Sequence, residues 1–212
     1  MDWQAYGDWS HWQFQRERTE FVTFVIHELD LNNFARVLEI GSGPGWVALE
    51  LARRMSDIQV IGLDSKAELV ALANKNKLNQ KITNVEFVHH DLGRLDIFAD
   101  QSFDCIISFR GFKNWAEPAQ VLDDMNRLLA PSGSFAIADY RSDLKWLARL
   151  SIWYTEHTMP KSVRSFWRDA FANCYSLEQI VKILLSTRLR DWKIRTTIFD
   201  FLIYKTKHVR QK

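Results

Sequence analysis

From residue 35 onward, short apolar runs rich in β-branched residues alternate with longer segments of helical period. The apolar runs predict strands, and each segment between them is long enough to form a helix that crosses over the sheet. This alternation predicts an α/β fold with a mainly parallel sheet. The predicted strands are RVLEI (36–40), IQVIGL (58–63), NVEFVH (84–89), FDCIISF (103–109) and SFAIAD (134–139).

Three helices are predicted between these strands, at 46–55, 66–78 and 117–129, and APSG at 130–133 marks the end of the third. Residues 1–30 are predicted to be helical. After the fifth strand, helices are predicted at 143–159 and 176–187, with Pro160 interrupting between them and Ser176 as an N-cap. The β-rich segments 192–200 and 201–207 predict a tight hairpin, with one bent strand as the alternative.

The composition fits one globular domain: of 212 residues, 47% are hydrophobic and 25% are charged. We expect a helical cap at 1–33, a ligand-binding core at 34–140, and helices with a C-terminal hairpin at 141–212. The net charge of +2 favours neither nucleic acid nor an acidic surface. Cys105 and Cys174 lack metal or disulfide spacing, the N-terminus lacks a signal-peptide pattern, and no run of about 18 apolar residues occurs. A cytoplasmic protein without a membrane or nucleic-acid partner is expected.

The glycine-rich loop GSGPG, residues 41–45, directly follows the first predicted strand. In a parallel sheet, ligands bind at the carboxyl ends of the strands where strand order reverses, and this loop lies at that edge. Gly41, Gly43 and Gly45 permit tight turning and close approach of a ligand to the backbone. Taken alone, the pattern equally fits a turn with no ligand.

Two aspartates at neighbouring strand ends favour a ligand. Asp64 ends the second strand, where a carboxylate can accept hydrogen bonds from both hydroxyls of a ribose. Asp91 follows the third strand and suits an exocyclic amine such as that of adenine. Either aspartate alone is more often a turn residue, but together with the loop they predict an adenosine ligand.

The spacing of the glycines distinguishes between possible adenosine ligands. A dinucleotide loop needs GxGxxG, whereas this loop has GxGxG and Trp46 follows it, so a nicotinamide cofactor is the less favoured alternative. A phosphate-binding P-loop would need a Gly-Lys-Ser/Thr step, which is missing.

These residues resemble the class I S-adenosylmethionine-dependent methyltransferases, in the small-molecule branch that includes quinone and sterol methyltransferases. LEIGSGPG (38–45) looks like the first motif of that family, GLDS (62–65) the second and HHDL (89–92) the third. Residues 103–139 are similar to its fourth strand, helix and fifth strand, including a Trp-x-x-Pro step. RGFKNW (110–115) lacks the histidine that many relatives have before that step.

The resemblance implies a Rossmann-like, doubly wound fold whose mainly parallel seven-stranded sheet has an antiparallel last strand. It implies S-adenosylmethionine as cofactor, S-adenosylhomocysteine as product, and no metal. Glu39, Gly41 and Gly43 would surround the methionine part of the cofactor, Asp64 the ribose, and Asp91 with the Leu92 backbone the adenine. Ser108 and Arg110 would line the methyl-donor end. The full set of expected cofactor residues is Glu39, Gly41, Ser42, Gly43, Gly45, Asp64, Ser65, Asp91, Leu92, Ser108 and Arg110.

The expected reaction is methyl transfer to a small molecule by in-line displacement, which needs alignment more than a dedicated catalytic residue. A hydroxyl or protonated amine acceptor would also need a base. The candidates are His11, His157, Tyr140 and Asp139, with His89 and His90 less favoured, and the sequence selects none of them. Cyclisation or elimination of the cofactor remains an alternative.

The substrate pocket is expected to involve Trp3, Tyr6, Arg110, Lys113 and Tyr140. The two cations would meet an anionic group of the substrate or cofactor, or else lie in a solvated loop. Aromatic residues cluster between Trp3 and Phe14; packing is their usual role, but here they predict a lid formed by residues 1–20 with the 141–160 region.

Overall fold

The computed structural model describes residues 2–144, 146–159 and 161–206. Its seven-stranded sheet has the order β3-β2-β1-β4-β5-β7-β6. The first five strands pair in parallel, and β7 is antiparallel to both β5 and β6. The predicted fold class and the C-terminal hairpin are confirmed. The strands are β1 (Arg36–Ile40), β2 (Gln59–Asp64), β3 (Val85–His89), β4 (Phe103–Phe109), β5 (Leu129–Tyr140), β6 (Lys193–Thr196) and β7 (Asp200–Lys205).

Helices cover both faces of the sheet. They are α1 (Trp3–Gln13), α2 (Gln15–His27), α3 (Trp46–Arg54), α4 (Ala67–Gln80), α5 (Pro118–Leu128), α6 (Trp146–Thr158), α7 (Lys161–Ala172) and α8 (Leu177–Ser186), with a 3-10 turn at Phe112–Asn114. Ser176 caps α8 as predicted, because its side chain accepts a hydrogen bond from the backbone N–H of Gln179. Of the described helices, none is both long and apolar enough to cross a membrane.

Alternate residues of the central strands enter two separate cores. Val37 of β1 packs with α2, α3 and α4 on one face of the sheet. Its neighbour Leu38 packs with α5 and α8 on the other face. Strands buried on both faces read as continuous apolar runs, which explains why the sequence locates them well.

The structure corrects the predicted elements in two places. The third crossover helix ends at Leu128, and β5 begins at Leu129, so that APSG lies within the irregular start of the strand. The pairing there shifts between Phe103–Leu129 and Cys105–Ser134. The second correction is α7, which the sequence analysis does not predict; Val163, Trp167 and Ala170 are its buried positions.

Chain order reverses between β1 and β4, which are neighbours in the sheet with their helices on opposite faces. In open α/β sheets this reversal leaves a crevice at the carboxyl ends of the two strands. The glycine loop and Arg110 both follow these ends. The division into a cap, a core and a C-terminal part of a single domain stays a prediction.

Candidate active site

A cavity of about 660 Å³ opens at the carboxyl ends of β1 and β4, a size typical of small-molecule sites. The GSGPG loop forms its floor. Gly41, Gly43 and Gly45 have φ angles of +77°, +52° and +83°, a backbone conformation that disfavours side chains. At Gly45 a Cβ atom would lie 2.5 Å from the Phe87 ring, so the turn also needs glycine for space.

Asp64 fixes this loop from the end of β2. Its two carboxylate oxygens accept hydrogen bonds from the backbone N–H groups of Gly43, at 2.8 Å, and Lys66, at 2.9 Å. Burial raises the pKa of Asp64, and the two backbone hydrogen bonds oppose that rise. The carboxylate is therefore positioned before any ligand arrives.

Glu39 lies beside Asp64 at the end of β1 and is only 1% exposed. One of its oxygens accepts the backbone N–H of Ala48, at 3.0 Å. Burial holds the pKa of Glu39 well above its usual value, and the charge of Asp64 adds to the rise. Neither Glu39 nor Asp64 forms a salt bridge with another described residue. The cavity therefore has two buried carboxyl groups that form no salt bridge, although the charges of Lys66 and His89 oppose the rise in the pKa of Asp64.

Arg110 follows β4 and adopts a φ of +61°, which turns the chain sharply after the strand. Its guanidinium lies 3.7 Å from the centre of the Tyr140 ring and donates to Asp200 at 2.7 Å. Burial alone would lower the pKa of Arg110, but Tyr140 and Asp200 outweigh it and the pKa lies above its usual value. The buried Nε has no partner among the described residues.

Lys113 is also paired. Its Nζ lies 2.9 Å from Oδ1 of Asp139 and donates to the carbonyl oxygen of Arg110 at 2.5 Å. Only 7% of the Lys113 side chain and 10% of that of Arg110 are exposed, so the alternative of a solvated loop is wrong. Arg110 and Lys113 are thus each paired with a carboxylate of the protein itself.

Helix α1 covers the cavity. Tyr6, Ser10 and Phe14 line it, and the indole N–H of Trp46 donates to the carbonyl oxygen of Gly7 at 3.1 Å, which joins α1 to the helix after the glycine loop. Burial raises the pKa of Tyr6 above its usual value, and Asp64 adds to the rise. Phe14 stacks on Trp167 of α7, with ring centres 5.9 Å apart. The predicted aromatic lid therefore packs on α7.

The structure brings together most of the residues that the sequence analysis proposes for the site. Those lining the cavity are Tyr6, Glu39, Gly41, Ser42, Gly43, Asp64, Ser65, Leu92, Arg110 and Lys113.

Other proposed site residues lie outside the lining. Ser108 is fully buried, and its hydroxyl donates to the carbonyl oxygen of Ile40 at 2.7 Å. Asp91 is exposed and accepts the backbone N–H of Gly93 at 2.9 Å. Gly45 lies against the Phe87 ring, and the Tyr140 ring packs on the guanidinium of Arg110. Trp3 packs edge-on against Tyr6.

No histidine is among the described residues that line the cavity. His11 packs on Trp46 with ring centres 4.4 Å apart, and burial lowers its pKa. His157 is exposed beside Trp153, and His89 and His90 contact backbone carbonyl groups near the end of β3. Asp139, another candidate base, is engaged with Lys113.

Several lining residues are missed by the sequence analysis, among them Arg18, Trp115, Cys174 and Tyr175. Arg18 forms a buried 2.9 Å ion pair with Glu50, 32 positions away, and no local pattern signals such a pair. Trp115 belongs to the Trp-x-x-Pro step after β4, and this motif could have indicated its position at the crevice.

The Trp115 indole N–H and the Ser42 hydroxyl are buried without partners among the described residues. Both are therefore available to a ligand.

The family model of the methyltransferase domain matches residues 31–201, which include the whole cavity floor. The chain belongs to this family. The chain is also similar to individual methyltransferases.

The chain is 30% identical to the demethylmenaquinone methyltransferase of Deinococcus radiodurans, over 69% of the chain and 60% of that protein. It is 28% identical to the demethylmenaquinone methyltransferase of Chlorobaculum parvum, over 73% of the chain and 63% of that protein. The chain thus spans about three fifths of these relatives.

Solved structures show the same fold at low identity. A SAM-dependent methyltransferase from Aquifex aeolicus gives a TM-score of 0.67 at 20% identity and covers 86% of the chain and 87% of that protein. The plantazolicin methyltransferase BpumL, in complex with S-adenosylhomocysteine, gives 0.74 at 16% identity, over 96% of the chain and 90% of that protein. The predicted class I methyltransferase of the quinone-like branch is confirmed, and so is S-adenosylmethionine as its cofactor.

The cavity has the chemical features that this cofactor needs. Three glycines leave the loop open to a ligand, while Ser42 and Trp115 have unused polar groups. S-adenosylmethionine has a positive sulfonium, and two buried carboxyl groups that form no salt bridge favour such a charge. The individual contacts to the cofactor stay predictions.

Proposed function

We propose that this protein transfers a methyl group from S-adenosylmethionine to a small, planar, aromatic acceptor of the quinol type. The observation that carries the proposal is the charge distribution of the cavity. Glu39 and Asp64 form no salt bridge with another described residue, whereas three of the four Lys and Arg side chains that line the cavity, Arg18, Arg110 and Lys113, are paired with carboxylates. Such a site suits a cationic sulfonium better than the diphosphate of a nicotinamide cofactor, which would need unpaired cations or free backbone N–H groups.

The bound cofactor would supply a methyl group on a positively charged sulfur. Asp64 would accept hydrogen bonds from the ribose, since each of its oxygens has room for a second donor beyond the backbone N–H it already accepts. Glu39 would stabilise the positive end of the cofactor, and the Trp115 N–H would donate to one of its polar groups. The covering helix α1 would exclude water and hold the reacting atoms in line.

The proposed acceptor class rests on the cavity lining and the names of the relatives. Tyr6, Phe14, Phe109 and Tyr175 line the cavity with aromatic surface, which favours flat rings. Two relatives are named for demethylmenaquinone, a quinone. A ring with hydroxyl groups fits this lining better than a carbohydrate or a peptide does.

None of the described residues that line the cavity is a histidine. The proposed reaction therefore does not use a histidine as a base. A quinol can ionise at its own hydroxyl, and the Nε–H of Arg110, which has no partner among the described residues, would donate a hydrogen bond to the resulting oxygen anion. The anion makes the ring carbon nucleophilic. The ring carbon would take the methyl group that the cofactor supplies, the electron pair of the broken carbon–sulfur bond would stay on sulfur, and the ring carbon would lose its proton to water.

The test is an acceptor screen with purified protein and S-adenosylmethionine. The acceptors are reduced 1,4-naphthoquinone, a simple phenol, a thiol and arsenite, and mass spectrometry detects both products. We expect a naphthoquinol heavier by one methyl group and an equal amount of S-adenosylhomocysteine. Methylation of the thiol or arsenite alone would show that the acceptor class is wrong. Cofactor breakdown without any methylated product would instead support the alternative of cyclisation or elimination.

A further inference from the structure

Helix α6 is apolar on two opposite faces. One face, with Ala148 at 3% and the following Met159 at 3% exposure, packs against the protein. The other carries four large side chains at positions i, i+4, i+7 and i+8, an arc of about 100° on a helix of 3.6 residues per turn. These are Trp146, Leu150, Trp153 and Tyr154, which are 69%, 54%, 57% and 65% exposed. We call them the outer face of α6.

A surface helix of a globular protein normally presents charged or polar residues to water. The outer face of α6 reverses this pattern, and exposed apolar patches of this kind mark interaction sites. The cavity does not explain the patch, because none of the four residues lines it.

The composition of the patch points to its partner. Three of the four residues are Trp or Tyr, whose rings combine apolar surface with a polar N–H or O–H group and are enriched at the interface between membrane and water. Trp and Tyr are also enriched in protein–protein interfaces, so the charge of the segment decides between the two kinds of partner.

The segment of sequence that contains α6 and most of α7 has an excess of positive charge. Residues 141–168 contain six Lys and Arg against two Asp and Glu, an excess of four cations, whereas the whole chain has an excess of two. The two acids are already engaged, Asp143 with Arg141 and Glu156 with Arg168. Positive charge beside an apolar helix face attracts anionic lipid headgroups.

We propose that the outer face of α6 docks this protein on a membrane surface that contains anionic lipids. The helix lies in the plane of the headgroups, with its tryptophan rings among them, and the chain does not span the bilayer. This surface binding departs from the sequence-based expectation of no membrane partner, which considers only spanning segments and net charge. It does not depend on which acceptor the protein methylates.

The test is co-sedimentation of the full chain with vesicles of equal parts phosphatidylglycerol and phosphatidylcholine, compared with phosphatidylcholine alone. The variant is Leu150→Ser with Trp153→Ser. The matched control is Leu78→Ser with Leu185→Ser, which removes two residues that are 75% and 69% exposed on α4 and α8. Thermal melts and cofactor binding show that each variant is folded.

We expect the wild type and the control to bind the anionic vesicles, and the α6 variant to bind at least tenfold more weakly. Binding should weaken in about 0.5 M salt, which screens the lipid charge. Failure of the wild type to sediment, or equal binding by all three proteins, would overturn the proposal. Sedimentation velocity provides the other decisive result. If the wild type is a dimer that does not bind vesicles, and the α6 variant is a monomer, then a second copy of the chain covers this face and the membrane proposal is wrong.

Discussion

Glu39 shows how one buried side chain links stability and ligand binding. The folded protein keeps this carboxyl group out of water and next to Asp64, and burial raises its pKa. A charge held in such a place is unfavourable for folding but useful for a cationic ligand, since little water screens it.

The Glu39→Gln variant is expected to be more stable at neutral pH and weaker in cofactor binding. Because the folded-state pKa of Glu39 is raised, its contribution to stability is fully present below the unfolded pKa of about 4.3 and is lost as pH rises through the folded value. Glutamine can still accept the Ala48 N–H without this loss. The difference between the melting temperatures, variant minus wild type, should therefore increase from pH 4 to pH 8. Thermal melts recorded at about half-unit steps of pH measure it.

Binding provides the second readout for Glu39→Gln. S-adenosylmethionine should lose about tenfold in affinity, and the uncharged sulfur of S-adenosylhomocysteine should lose less. A difference in melting temperature that does not change with pH, together with equal losses for both ligands, would contradict the role given to this charge.

Breaking the Lys113–Asp139 pair is expected to lower stability, whereas Glu39→Gln is expected to raise it. Lys113→Met leaves the Asp139 carboxylate fully buried without its cation, and the free energy of unfolding should fall by about 3 kcal/mol. Urea denaturation at pH 7 measures this change. Adding Asp139→Asn should recover part of the loss, since a neutral amide oxygen can still accept the backbone N–H of Lys113.

The control for this pair is Arg16→Met, which removes a cation from the exposed pair of Arg16 with Glu20. We expect no measurable change in the free energy of unfolding there, because water screens the partner. A Lys113→Met variant as stable as this control would show that the buried pair is not needed.

Helix α1 acts as a cover because its contacts with α3 and α4 are close. Gly7 makes these contacts possible: a Cβ atom there would lie 2.8 Å from Cδ2 of Leu72, and its carbonyl oxygen accepts the Trp46 indole N–H. The core on either side of the sheet does not depend on α1.

Gly7→Val should therefore displace the cover while the sheet stays folded. We expect the KM for S-adenosylmethionine to rise about tenfold and kcat to fall, because water enters and the reacting atoms lose their alignment. The Gln13→Val variant places the same side chain at an exposed position of α1 and should keep wild-type kinetics. Unchanged kinetics for Gly7→Val, with an unchanged circular-dichroism spectrum, would contradict the lid hypothesis.

The sheet and the cavity floor could be predicted because their signals are local. The strands are buried on both faces and read as apolar runs, and GSGPG and Asp64 lie at strand ends, where topology brings them together. The loop backbone then fixes Asp64 through hydrogen bonds to residues only two and 21 positions away.

The rest of the site depends on contacts between distant residues. Ser108 lies at the correct strand end, but its hydroxyl donates to β1, which no local pattern reveals. The sequence analysis does not predict α7, because it treats Pro160 as an interruption, although proline is also common where a helix begins. The segment 161–172 has apolar residues at helical spacing, and recognising them would have predicted the second half of the cover.

The whole molecule combines a floor formed by the glycine loop, two buried carboxyl groups and a helical cover, and the central claim is that this cavity binds S-adenosylmethionine through Asp64. Calorimetric titration of the full chain with S-adenosylmethionine, S-adenosylhomocysteine and NAD tests it most directly, with Asp64→Ala as the comparison. We predict binding of both sulfur compounds, no binding of NAD, and at least a tenfold loss of affinity in the variant. Binding of NAD alone, or equal affinity of the variant for the sulfur compounds, would contradict the account.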